Sequence, residues 1–153
     1  MEEYLQDIVE NLLASLGVDF QDMHIEEIED LDGEPEYYCN INTSNANLLI
    51  GKGGQNLMAI QVLVKLILKK RLNDKTPSIR IDVDSYRQRQ IENSIGLAER
   101  YITKLEQTKR DQNLPAMKPF YRRIVHMHIA NNYPHVKTES HGRGDNRHIV
   151  IKL

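Results

Sequence analysis

Residues 47–57 constrain the fold of this chain more than any other stretch, because an apolar segment there runs into three glycines and a lysine. Gly51 and Gly54 bracket Lys52 and Gly53, which gives a G-x-x-G loop between two predicted helices. A loop without Cβ atoms lets an extended backbone approach closely, and the start of the following helix presents N–H groups to an anion. The stretch therefore predicts a loop that contacts phosphate.

Two other interpretations of this loop lead to different functions. The loop can be a tight connection in which a glycine ends the preceding helix. A nucleoside triphosphate loop of the form G-x-x-x-x-G-K-[ST] does not fit, because Gly53 follows Lys52 and no glycine stands five residues before Gly51. Hydrolysis of a nucleoside triphosphate is therefore not expected.

The distribution of charge separates the first part of the chain from the remainder. Residues 1–36 hold 13 acidic side chains and no Lys or Arg, whereas the remainder holds 20 basic and 9 acidic side chains. The net charge of -2 conceals this division. Lys52 is the first basic residue, so the positive part of the chain begins at the glycine loop. Such a distribution is expected of a protein that binds a polyanion.

Composition narrows the class of protein further. With 153 residues, 40% of them hydrophobic and 27% charged, the chain suits one globular domain or two small ones. No apolar run reaches the length of a membrane span, and the first residues lack the basic start of a signal peptide. The single cysteine, Cys39, excludes an intramolecular disulfide. These features predict a cytoplasmic protein that does not enter a membrane.

Hydrophobic periodicity predicts an α+β chain with two groups of elements. The first group is helix, strand, strand, short helix, glycine loop, helix and strand, with the regular elements at residues 4–16, 18–28, 36–42, 45–50, 55–72 and 79–83. The second group is helix, short strand, helix and two strands, within residues 84–105, 109–115, 118–131, 135–140 and 147–153. The predicted N-cap of the short helix is Ser44, and the pair Asp84 and Ser85 is predicted to cap the first helix of the second group. Residues 73–78 are predicted to form a turn.

The first group resembles a KH domain of the bacterial type (type II), whose Ile-Gly-x-x-Gly signature is present at residues 50–54. The resemblance covers residues 1–83 and implies that the loop clamps the backbone of single-stranded RNA. It further implies that bases lie on an apolar groove formed by Ile50, the helix after the loop and the strand at 79–83. The RNA-contacting residues expected in this unit are Ile50, Gly51, Lys52, Gly53, Gly54, Gln55, Lys65 and Arg80.

A second candidate site lies on the helix predicted at residues 118–131. Arg122 and His126 are four residues apart, so they stand one above the other on a helix. The apolar residues around them fall on a different sector of that helix, which allows the pair to project from the domain. An arginine offers a planar fork of donors to phosphate, and an imidazole offers one or two further donors.

The Arg-x-x-x-His pair resembles the name-giving motif of the R-3-H domain, a family proposed to bind single-stranded nucleic acid. The resemblance implies a small α+β domain at residues 84–153, with a phosphate-contacting patch of Arg122, His126, Arg143 and Arg147. A KH domain followed directly by an R-3-H domain is the arrangement of the bacterial Jag (SpoIIIJ-associated, KhpB-like) family. Members commonly carry a further N-terminal domain, whereas this sequence starts at the KH unit.

These observations predict a non-catalytic protein that binds single-stranded RNA, with single-stranded DNA as an alternative ligand. The resemblance implies a bacterial RNA chaperone or post-transcriptional regulator. A rival prediction is a protein-interaction module that docks a small KH protein or a second copy of the chain and binds RNA weakly. A nuclease that uses Asp82 and Asp84 is the enzymatic alternative. No metal or other cofactor is expected, because no cysteine pair or carboxylate cluster accompanies the late histidines.

Overall fold

The computed structural model describes residues 1–72 and 76–153. The chain divides into two compact units, Met1–Arg87 and Gln88–Leu153. The domain boundary after residue 83 stays a prediction, and the first half of the turn predicted at 73–78 lies outside the described residues. None of the helices in the described ranges has the length and apolar character needed to cross a membrane.

The first unit pairs three strands with helices on one face. Its elements are α1 (Glu2–Ser15), β1 (Asp22–Glu29), β2 (Pro35–Asn42), α2 (Ala46–Ile50), a 3-10 turn (Lys52–Gly54), α3 (Gln55–Leu72) and β3 (Ser78–Val83). The strand order is β1-β2-β3, with β1 antiparallel to β2 and β2 parallel to β3. Parallel strands require a long crossover, and the segment from α2 to α3 provides it. The glycine loop therefore lies in the middle of this crossover.

The hydrophobic core of this unit lies between the helices and one face of the sheet. In β3, alternate side chains point to opposite faces, and the inward set is fully buried. In α3, buried residues recur every three or four positions, as expected of a helix with one face against a core. The core residues from α1, α3 and β3 are Leu5, Ile8, Val9, Leu13, Leu57, Ile60, Val64, Leu68, Ile79, Ile81 and Val83.

The second unit contains the remaining helices and a small antiparallel sheet. Helix α4 (Tyr86–Thr108) begins at the end of the first unit and is followed by β4 (Gln112–Asn113), α5 (Pro119–Asn132), β5 (Lys137–His141) and β6 (His148–Lys152). The strand order is β4-β6-β5. Its core combines α4, α5 and the sheet through Ala98, Ile102, Leu105, Val125, Ile129, Ile149 and Ile151.

The predicted α+β class is confirmed, and the elements follow the predicted order. The predicted cap at Ser44 is wrong. Thr43, not Ser44, accepts the N–H of Asn45 on its hydroxyl oxygen at 3.0 Å. Asp84 and Ser85, the pair predicted to cap α4, both adopt positive φ, 47° and 54°, in a tight turn before the helix. The carboxylate of Asp82 accepts the backbone N–H of Arg87, in the first turn of α4.

Candidate nucleic-acid interface

The conformation of the glycine loop depends on Gly51. Gly51 has φ 69° and ψ -177°, a combination that only glycine adopts readily. A Cβ atom at this position would lie 2.5 Å from Cγ of Asn56. The Asn56 side chain in turn donates from Nδ2 to the carbonyl oxygen of Leu48 at 2.8 Å. Gly51 thus allows the chain to turn sharply between α2 and α3 while Asn56 joins the two helices.

The loop residues predicted to contact RNA lie together at this turn. Lys52, Gly53 and Gln55 are exposed, whereas Gly51 and Gly54 are half-buried. Ile50 packs against the core of the unit. The exposed backbone and the Lys52 ammonium therefore form one surface, at the N-terminus of an 18-residue helix. The helix dipole favours an anion at such a terminus.

Helix α3 contacts β3, which is the outer strand of the sheet in the described residues. Gln61 accepts the N–H of Ile81 on Oε1 at 3.2 Å, which satisfies a backbone donor that faces away from β2. Lys65 lies one turn further on and is half-buried. Next to them, Met58 and Val62 expose 55% and 50% of their surface. The helix thus continues the loop surface with apolar side chains and one cation.

The predicted apolar groove is wrong in its strand component. Ile79, Ile81 and Val83 are fully buried, because the alternation of β3 directs them into the core, so they cannot contact bases. Arg80 points to the opposite face of the sheet, where it forms an ion pair with the buried Glu36. The structure therefore does not bring Arg80 to the glycine loop.

The two carboxylates of the nuclease alternative have structural partners. Asp82 is fully buried and accepts the Tyr38 hydroxyl at 3.1 Å. Burial, and then the charge of Asp82, raise the pKa of Tyr38. Asp84 accepts the N–H of Thr43 at 3.2 Å. Within residues 1–72 and 76–153, no group of three His, Cys, Asp or Glu residues could hold a metal ion. These contacts give the nuclease alternative no support.

In the second unit, a cavity of about 250 Å³ lies between α5 and β5 and contains both members of the Arg-x-x-x-His pair. Arg122 is half-buried and donates from one guanidinium nitrogen to the carbonyl oxygen of Met117 at 2.8 Å. His126 is hydrogen-bonded through Nδ1 to the hydroxyl of Thr138. Arg123 and Ser140 also line the cavity. It therefore combines guanidinium groups, an imidazole and hydroxyls, which are the donors that phosphate needs.

A second cavity, of about 390 Å³, shares Arg122 with the first. Arg147 lines this second cavity and donates from Nε to the Ser140 hydroxyl at 2.9 Å. Arg143 is exposed in the β5–β6 connection and lies outside both cavities. The structure thus brings Arg122, His126 and Arg147 together and leaves Arg143 at the edge.

Among the described residues that line the first cavity, Glu139 carries the carboxylate. Its Oε2 accepts from Lys152 at 2.8 Å and lies 3.0 Å from Nε2 of His141. The hydrogen bond from Lys152, followed by that from His141, holds the pKa of Glu139 below its ordinary value. The carboxylate is therefore ionised, and Lys152 compensates a negative charge that would otherwise repel an anion.

Three of the hydrogen-bond donors that line the first cavity are absent from the sequence-based site: Arg123, Thr138 and Ser140. Thr138 and Ser140 alternate on β5, so the period of a strand places them on one face, and this signal was available in the sequence. Arg123 offered no such signal, because on a helix it lies a hundred degrees from Arg122. Which helix face meets β5 depends on tertiary packing.

Fold and site together define a chain of two modules in tandem, a KH domain and an R-3-H domain. Residues 6–84 match the family model for the KH domain of KhpA and KhpB, and residues 93–153 match that of the R-3-H domain. The chain belongs to the KhpA/KhpB KH-domain family, which confirms the resemblance to the Jag (KhpB-like) proteins.

Three curated relatives are similar over almost the whole chain, and each is named RNA-binding protein KhpB. That of Clostridium symbiosum is 33% identical over 99% of this chain and 64% of the relative. That of Bacillus subtilis is 32% identical over 97% of this chain and 66% of the relative. That of Lactiplantibacillus plantarum is 31% identical over 99% of this chain and 43% of the relative. The chain thus spans less than two thirds of the length of each.

Proposed function

We propose that this protein binds single-stranded RNA without catalysis. The observation that carries the proposal is the glycine loop, an exposed turn in a glycine-only conformation with Lys52 at the N-terminus of α3. The names of the three relatives support RNA as the ligand. Phosphate would lie against the loop backbone, and bases would lie along Met58 and Val62 of α3, next to Lys65. A single strand suits this surface because its unstacked bases can contact apolar side chains.

The cavity of the second unit provides a further phosphate site in this proposal. Arg122 and His126 would contact phosphate oxygens, with Arg123 and Arg147 as flanking cations. Arg143 would add charge at the edge rather than a fixed contact.

We place the domain boundary after residue 83, locate the protein in the cytoplasm and assign it a role as an RNA chaperone or post-transcriptional regulator.

A salt-dependent titration tests the ligand class. Fluorescence anisotropy with labelled single-stranded RNA, duplex RNA and single-stranded DNA of equal length compares the three ligands. We expect the tightest binding to single-stranded RNA, with log affinity falling against log salt by about 0.7 per phosphate contacted. Absence of binding to all three ligands at low salt would contradict the proposal.

An apolar groove favours a second candidate function, the docking of a small KH protein or a second copy of the chain. A cavity of about 300 Å³ lies on the other side of α3, between that helix, α2 and the end of α1. At its rim, Leu16, Leu48 and Leu63 expose 52%, 60% and 44% of their surface. Light scattering over a concentration series tests the second copy: we expect Leu48→Lys with Leu63→Lys to abolish a dimer. A wild-type chain that is monomeric throughout would exclude self-association.

A further inference from the structure

We propose that Tyr86 is a nucleic-acid-contacting residue of the glycine loop, and that its hydroxyl donates a hydrogen bond to the phosphate held there. The proposal rests on the proposed RNA-binding function of the loop. Tyr86 lies outside the KH family match, which ends at residue 84, and before the R-3-H match, which begins at residue 93. It is the first residue of α4.

The Tyr86 ring lies directly against Gly54. A Cβ atom on Gly54 would stand 3.2 Å from Cε1 of Tyr86 and 3.7 Å from its hydroxyl oxygen. The hydroxyl end of the ring therefore occupies the side of the loop where a side chain would otherwise project. Gly54 has φ 80°, so the loop backbone at this point is again of a kind that glycine favours.

The hydroxyl of Tyr86 is available to a ligand. Within the described parts of the chain it has no hydrogen-bond partner, and it is not among their buried unpaired polar atoms. The oxygen therefore reaches solvent beside the loop. A phenol is a good donor to a charged oxygen, and a phosphate against Gly54 would come within its reach.

The turn before α4 holds Tyr86 in this place. Asp84 and Ser85 both adopt positive φ, a costly conformation for non-glycine residues. The backbone N–H of Asp84 donates to the carbonyl oxygen of Ile41 at 3.0 Å, and that of Ser85 donates to Oδ1 of Asn40 at 2.9 Å. Such strain persists where several contacts enforce it, and it is concentrated at functional sites. Here it directs the chain so that Tyr86 meets the loop.

A purely structural role explains the ring of Tyr86 but not its hydroxyl. The ring packs against the core of the first unit, and a phenylalanine would fill the same space. The hydroxyl adds nothing to that packing, because no described residue receives its hydrogen bond. Tyr86→Phe therefore separates the two roles.

The test compares four full-length chains in the anisotropy titration with single-stranded RNA. They are the wild type, Tyr86→Phe, Tyr4→Phe and the loop variant Lys52→Asp with Gly53→Asp. Tyr4 is the matched control, because its ring contacts Arg71, which lies about 25 Å along α3 from Gly54. We expect Tyr86→Phe to weaken binding about 2- to 10-fold, as loss of one hydrogen bond does. The salt slope should not change, because no cation is removed.

Wild-type affinity in Tyr86→Phe, with binding lost in the loop variant, would overturn the role of Tyr86 and leave the proposed function intact. Wild-type affinity in the loop variant would instead contradict the function of the loop. A loss in Tyr86→Phe with an altered salt slope, or an equal loss in Tyr4→Phe, would also overturn the Tyr86 assignment. Ultraviolet crosslinking of the wild type to uridine-rich RNA gives an independent readout: a crosslink at Tyr86 is expected, and its absence counts against the proposal.

Discussion

Asn56, in the first turn of α3, donates from Nδ2 to the carbonyl oxygen of Leu48 in α2 at 2.8 Å. The contact spans the glycine loop and fixes the helix before the loop to the helix after it. The Asn56 side chain also occupies the space in which a Cβ atom on Gly51 would lie. The loop conformation and the junction of the two helices are therefore one structural unit, and a change in either disturbs both.

Replacing Gly51 by alanine should destabilise the first unit. The new Cβ would collide with Asn56 and would impose a backbone conformation that alanine avoids, so we expect the free energy of unfolding to fall by about 1–3 kcal/mol. Urea titration read from the amide signals of the first unit measures this. Gly17→Ala is the control, because Gly17 also has positive φ, 67°, but the described part of the chain places no atom within 4 Å of the added Cβ. An equal loss in both variants would contradict the role of Asn56.

The hydrogen bond from the backbone N–H of Ile81 to Oε1 of Gln61 satisfies a donor on the outer side of β3. Gln61→Ala leaves a backbone N–H without its acceptor, which should cost about 1–3 kcal/mol where that N–H stays buried. Hydrogen exchange should then show faster exchange at Ile81 than in the wild type. Lys69→Ala, two turns further along α3, serves as the control. Unchanged exchange at Ile81 would show that Gln61 is dispensable for the strand edge.

Variants of Arg122 and His126 should separate the contribution of charge to RNA binding from that of hydrogen-bond geometry. Arg122→Ala with His126→Ala should weaken binding to single-stranded RNA and reduce the salt slope by about 0.7 for each cation lost from a phosphate. Arg122→Lys should keep the slope and still lose affinity, because an ammonium cannot replace a planar fork. Arg110→Ala, outside both cavities, is the control. Unaltered binding and slope in the double variant would make the pair purely structural.

Lys152 should control the charge state of Glu139 in the cavity. Lys152→Met removes the main cause of the depressed pKa, so the pKa of Glu139 should rise toward its ordinary value. A carboxyl whose pKa is lowered by folding stabilises the protein above its unfolded pKa, and this contribution disappears as the pH falls through the folded pKa. The stability difference between wild type and Lys152→Met should therefore vanish at low pH. Carbon-detected titration of Glu139 measures the shift, and an unmoved pKa would contradict the pairing.

The same carboxylate gives a binding prediction. Glu139→Gln removes a negative charge from the lining of the cavity, so its affinity for RNA should equal or exceed that of the wild type. Lys152→Met should bind RNA more weakly, because no lysine would then balance the negative charge of Glu139 near the ligand. Combining both changes should restore binding. Weaker binding in Glu139→Gln would mean that the carboxylate itself contacts the ligand.

Periodicity predicted much of the fold because the elements have clear hydrophobic faces. Helix α3 begins and ends at the predicted residues 55 and 72, and β2 ends at the predicted residue 42. Glycine spacing likewise located the loop, because the turn between α2 and α3 needs backbone angles that other residues avoid.

The errors share a physical cause, since they concern contacts between residues distant in sequence. Alternation in β3 indicates two faces but not which face the helices cover, so the sequence predicts a groove at Ile79 and its neighbours. Arg80 meets Glu36 only because β3 pairs with β2 in parallel. Asp82 caps α4 only because Asp84 and Ser85 turn the chain back. Local patterns do not contain such contacts.

The most direct test of the glycine loop as the RNA site is the titration of Lys52→Asp with Gly53→Asp. The two carboxylates reverse the charge at the N-terminus of α3 and add side chains where the phosphate backbone would approach. We predict that the folded variant loses binding to single-stranded RNA at low salt while its thermal unfolding still resembles that of the wild type. An RNA affinity equal to that of the wild type would contradict the account.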